Sequence, residues 1–173
     1  MTTLSPLLQS ALVAIRRTTG GMTDKQLFWH PQGKWSSIEI LEHLSLAYSR
    51  TTDRMKALVQ HELPEIRKGT IKQRMGQVLV LRFRFIPPGQ KAPEVLLPKG
   101  MKPAEAASWI EEKLSELDKS IDQCEERFGS EENILAHHAL GPLSASEWRK
   151  FHWVHTLHHM KQIRKNRELA VIG

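Results

Sequence analysis

An all-α fold is what this sequence predicts, a four-helix bundle with a long crossover connection between the second and third core helices. Three observations predict it. Four stretches of the 173-residue chain carry apolar residues at helical spacing. Glycines, prolines and capping-box patterns fall where those stretches begin and end. A proline-rich interval, Pro64 to Pro103, separates the second stretch from the third and is far longer than a tight turn. The length fits one domain, residues 1–173, with enough chain to bury a core without staples.

The first helix is marked by Leu4, Leu7, Leu8, Leu12 and Ile15, and Gly20-Gly21 ends it. The breakers of Phe28-Trp29-His30-Pro31-Gln32-Gly33-Lys34-Trp35 make a loop. The second helix starts at Ser36 or Ser37, where Ser36 and Glu39 have the spacing of a capping box. Ile38, Leu41, Leu44, Tyr48, Met55, Leu58 and Val59 carry it toward Glu62, and Pro64 closes it. Ile71 to Phe85 reads as a helix through Met75, Val78, Leu79 and Arg82, although Val78-Leu79-Val80-Leu81 also fits a buried strand. Pro87, Pro88, Gly89, Pro93 and Pro98 make an irregular connection, and Pro103 suits the first turn of the third core helix.

That helix has the most regular seam. Ile110, Leu114, Leu117, Ile121, Cys124 and Phe128 recur at 4-3-4-3-4 and should be buried, and Gly129 stops the run. Inside the seam, Cys124 reads as a small buried hydrophobe rather than a nucleophile. Residues 130–144 read as a loop in which His137 and His138 are exposed. The last helix starts near Ser144 or Ser146, with Ser144 and Glu147 as a second capping box, and runs to about Asn166.

Composition excludes several function classes. A single cysteine rules out an intramolecular disulfide framework, a Cys-rich zinc ribbon and an iron–sulfur cage. No stretch resembles a run of ~20 apolar residues, and no basic start precedes a cleavage site. We therefore expect a cytoplasmic protein without a membrane partner. No G-x-S-x-G, Walker loop or dinucleotide fingerprint occurs. The net charge is +6, and the segment 64–103, with nine Lys/Arg against two Glu, accounts for the whole excess. Its plainer reading is a solvated region that tunes solubility. An anion- or nucleic-acid-binding module is the alternative, but only Phe83 and Phe85 are there for base stacking, so nucleic acid is not expected.

The last helix holds the chemical signal. Four of the nine histidines lie within eight residues, at His152, His155, His158 and His159. His155 and His159 are one turn apart on one face, the spacing that lets two imidazoles share a metal ion. His152 and Gln162 extend the stripe at either end, and His158 points about one residue step away. An isolated pair of this spacing is often incidental. Here Trp148, Phe151, Trp153 and Leu157 imply a largely buried helix, where imidazoles need partners. His43, on an otherwise apolar second helix, is either a hydrogen-bonded core residue or a third ligand facing the other two. Three imidazoles with positions left for water make a catalytic type of metal site.

Two blocks of the chain resemble the DinB-like (damage-inducible) superfamily of helical proteins. One is Gly33-Lys34-Trp35-Ser36-Ser37-Ile38-Glu39-Ile40-Leu41-Glu42-His43-Leu44. The other runs from Gly141-Pro142-Leu143 through Glu147-Trp148 to His155-Thr156-Leu157-His158-His159-Met160-Lys161-Gln162-Ile163. The resemblance implies a divalent metal, zinc or nickel, held by His43, His155 and His159. It also implies a metal-dependent enzyme, leaning toward a thiol-dependent transferase that acts on a small molecule such as a low-molecular-weight thiol, and a homodimer; a hydrolase would use the same three-histidine metal, and the residues alone do not choose. His152, Gln162, Glu39 and Trp35 are the candidates for orienting the ligands or walling the pocket; His152 is a fourth ligand, a hydrogen-bond partner of a ligand ring or a packed residue, the second being favoured. A non-catalytic metal- or ligand-binding protein is the competing reading.

Overall fold

The computed structural model describes residues 4–61, 68–87, 89 and 91–171. The fold is mostly helical with one small two-stranded sheet. Helix α1 spans Pro6–Thr19, α2 Asp24–Phe28 and α3 Ser37–His61. Helix α4, Ile71–Gln77, runs into a π-helical turn at Val78–Arg82, and a 3-10 turn follows at Glu94–Leu96. Helix α5 spans Pro103–Phe128, strands β1 and β2 Asn133–His137 and Gly141–Ser144, and α6 Ala145–Leu169.

Both capping boxes exist. Ser36 N–H donates to Glu39 Oε2 at 2.7 Å while Glu39 N–H donates to Ser36 Oγ at 3.3 Å, and Ser144 with Glu147 repeats the arrangement at the start of α6. Residues 130–144 depart from the expected loop. Leu135 pairs with Leu143 and His137 with Gly141 in an antiparallel hairpin, with an irregularity at Ile134 that turns this side chain into the core. Gly141 has φ +74°, and a Cβ there would meet Gln73 Oε1 at 2.8 Å, so glycine serves both conformation and space. His137 is not an exposed loop residue. Its Nδ1 accepts from Ala139 and Leu140 N–H at the hairpin turn, and its ring packs on Phe151. Helix α2, whose Thr23 and Gln26 form a third capping box, carries too few residues to show a period.

The core follows the predicted seams. Ile110, Leu114, Leu117, Ile121 and Cys124 of α5 are buried and Phe128 is partly so. Burial raises the Cys124 thiol to about 11, consistent with an inert core side chain. Helix α3 packs on α5, α1 on α6, and α6 on α3 and α5.

Polar contacts fix the helix directions. Ser5, ahead of α1, donates to Asp118, and Arg16 pairs with Glu111, so α1 and α5 run oppositely. Asn166 donates to the Trp35 carbonyl and His152 bonds Thr51, so α3 and α6 also run oppositely. Glu42 holds the backbone just before α5, and Arg127 reaches the Val59 carbonyl, so α3 and α5 are parallel. Two parallel helices consecutive in the core need the long connection that residues 62–102 supply. Among the described residues no helix is long and apolar enough to cross a membrane.

Candidate metal centre

The site stands on the second turn of α3 and the middle of α6. His43 follows Glu42 on the face of α3 that meets the crossover. The Glu42 carboxylate, 7% exposed, accepts N–H bonds from Lys99, Gly100 and Met101 at 2.8–2.9 Å. One residue on, His43 Nδ1 lies 2.9 Å from the Leu96 carbonyl, so Nδ1 carries the proton and Nε2 faces away with a free lone pair. On α6, His159 Nδ1 lies 2.8 Å from Gln162 Oε1, which fixes the same tautomer.

The three Nε2 atoms converge. His155 Nε2 is 3.4 Å from His43 Nε2 and 3.0 Å from His159 Nε2, and ligand atoms of the three residues all lie within 4.8 Å of one another. Two nitrogens each ~2.1 Å from one ion stand ~3.0 Å apart at a right angle and ~3.4 Å apart at a tetrahedral angle. Both separations from His155 match those of two donors on one small ion. A proton is a poorer fit. A His155 Nε2–H shared with His159 would leave the His43 lone pair without a donor, and His155 Nδ1 is buried without a partner in either case.

Electrostatics favour neutral, ligand-ready rings. Burial lowers the pKa of His43, and its bond to Leu96 opposes this. His155 is pushed well below the usual histidine range by burial and by the neighbouring imidazoles, and His159 is lowered to about 3 for the same reasons. Phe151 stacks on His155 at 5.4 Å between centroids, and Trp35 lies 4.9 Å from the His43 ring.

Four other residues were candidates for the surroundings. Gln162 bonds His159 and also lies 3.2 Å from His158 Nε2. Trp35 walls the His43 side. His152 does not bond any of the three rings as expected; its Nε2 meets Thr51 Oγ1 at 3.0 Å, its Nδ1 is buried without a partner, and its ring lies between Tyr48 and Trp148. The reason is helical phase, since the Thr51 hydroxyl on α3 stands opposite that turn of α6. Glu39 serves the Ser36 cap and lines a separate cavity of about 270 Å³, with Phe28, His30, Glu42 and Met101 also around it. The cavity is not lined by the three histidines. The Leu96 carbonyl was invisible in the sequence, because a backbone acceptor in a proline-rich connection leaves no residue-type signal.

Fold and site together define a helical protein with a cluster of three histidines able to hold a metal ion. The chain belongs to the family described as protein of unknown function DUF1569, which it matches over residues 7–166. No curated protein and no solved structure matches it.

Proposed function

We propose that this chain is a divalent-metal-binding protein of DinB-like type and a metal-dependent enzyme, a thiol-dependent transferase or a hydrolase. The single observation that carries the reading is the convergence of three Nε2 atoms from helices distant in sequence. In this reading the four long helices form a four-helix bundle whose long crossover joins α3 to α5, in keeping with their parallel directions. Zinc and nickel are the proposed ions, because both accept neutral imidazole.

Bound there, such an ion supplies a Lewis acid that lowers the pKa of a thiol or water, so that a nucleophile exists near neutral pH. The chain does the positioning. Leu96 and Gln162 hold the His43 and His159 rings with Nε2 inward. Phe151 and Trp35 cover ring faces and limit water around the donors. Three protein donors leave coordination positions for a small substrate, the difference between a catalytic and a closed structural site.

The test is turnover by metal-loaded protein against low-molecular-weight thiols paired with electrophiles, and against hydrolysable esters and amides. The reading expects activity that chelation removes and that His155→Ala abolishes while the helical circular dichroism spectrum persists. A protein that binds metal, turns over none of these substrates and unfolds on chelation would instead have a structural metal.

A further inference from the structure

Helix α4 is seated the wrong way round for a helix that serves the core. Gln73, Gly76 and Gln77 lie on its inner face. Gln77 Nε2 donates to the carbonyls of Leu140 and Pro142 at 2.9 and 2.8 Å, and a Cβ on Gly76 would touch the Leu140 side chain at 3.3 Å. The opposite face carries Ile71 and Met75, at i and i+4, and Val78, the first residue of the π-helical turn, follows at i+7. These side chains are 80%, 70% and 51% exposed. Beyond the π-helical turn, whose Val80 and Leu81 are buried, Phe83 and Phe85 also stand in solvent. An amphipathic helix is thus held by its polar side and presents its apolar side outward, reversing the usual burial.

The described chain on either side of this face is mostly basic. Lys68, Lys72, Arg74, Arg82 and Arg84 are exposed, and among the described residues none of them pairs with a carboxylate. From 68 to 102 the chain has eight Lys/Arg and a single acid, Glu94. Arg84 lies 4.6 Å over the Trp153 ring, which fixes this cationic segment on α6.

We propose that α4 and the turn after it form a docking surface for an anionic lipid bilayer, with Ile71, Met75, Val78, Phe83 and Phe85 entering the headgroup boundary and the flanking cations meeting acidic headgroups. Apolar residues flanked by Lys and Arg are the pattern of interfacial helices, and each cation near a negatively charged surface adds attraction. A second copy of the chain is the poorer occupant, because a two-fold contact would set two strongly basic segments against each other. Nucleic acid would use the cations and leave the apolar stripe idle. The apolar side chains protrude into solvent as knobs, which suits entry into a lipid headgroup boundary. The expectation of no membrane partner rested on the lack of a spanning segment, and surface docking is a different mode of attachment.

Vesicle flotation of the full chain tests this, with phosphatidylcholine alone and with phosphatidylcholine mixed with phosphatidylglycerol. The wild type should float with the anionic vesicles only and be released by high salt. Ile71→Asp/Met75→Asp and Arg74→Gln/Arg82→Gln should each weaken partitioning by about tenfold or more, with helical content unchanged. No association with anionic vesicles would overturn the proposal. So would binding that ignores Ile71→Asp/Met75→Asp, or a dimer in solution that this double variant converts to monomer. The readout involves no metal, so its outcome is independent of the metal-centre reading.

Discussion

The imidazole nitrogens decide what the site can do, and their second nitrogens decide whether they are ready. Gln162 is the side chain that fixes the His159 tautomer. Replacing it with leucine should lower metal affinity by about tenfold through loss of ring orientation, with the helix intact. Competition with a chelating dye would measure this, and an unchanged affinity would show that the ring needs no such support. His155 and His159 were legible in the sequence because their spacing maps directly onto one helical face. His43 was legible as a histidine on an apolar helix, though only the fold shows that it faces the other two. His152 misled because it shares the stripe at i−3, while helical phase and the Thr51 hydroxyl decide where its ring goes.

At the scale of elements, two polar anchors hold the long helices. Arg149 at the start of α6 pairs with Asp118, Asp122 and Glu125 of α5, and Asp118, 4% exposed, also accepts from Ser5 ahead of α1. Arg149→Ala would leave the Asp118 carboxylate buried beside little more than the Ser5 donors. It should cost about 3 kcal/mol, read as a lower denaturant midpoint. A change under about 0.5 kcal/mol would mean that the pair acts like a surface ion pair. Glu42 is the second anchor, gathering three backbone N–H groups at the end of the crossover. Glu42→Gln should cost about 2 kcal/mol, because the amide cannot accept all three bonds. It should also speed hydrogen exchange at Lys99, Gly100 and Met101, and slow exchange there would contradict the assigned role. Helix extents were readable from caps and seams. The β-hairpin was not, since Gly141-Pro142 and the paired histidines resemble loop composition and strands this short pair through partners that sequence period does not reveal. The crossover's length was readable, but not its seating, which depends on Gln77 reaching two hairpin carbonyls.

For the molecule as a whole, buried neutral histidines set the response to acid. Burial lowers His137 and His152 to about 3, against an ordinary value of 6.5. The unfolded chain therefore binds protons that the fold refuses. Stability is complete above pH 6.5 and falls as pH drops from there toward 3, by up to about 1.4 kcal/mol per pH unit for each of these two rings. Thermal melts of metal-free protein should show the midpoint falling steadily below pH 6.5, and His152→Gln should flatten that slope. A flat profile between pH 6.5 and 4 would place these rings in water.

X-ray absorption at the zinc edge counts the imidazoles on a bound ion directly. Zinc-loaded protein should show one ion per chain with three imidazole nitrogens at ~2.0–2.2 Å and the remaining positions filled by light solvent atoms. In His155→Ala the three-imidazole signature should vanish while circular dichroism shows the helices still formed. A chain that takes up no zinc, or whose zinc spectrum is the same after His43, His155 and His159 are all replaced by alanine, would contradict the metal centre.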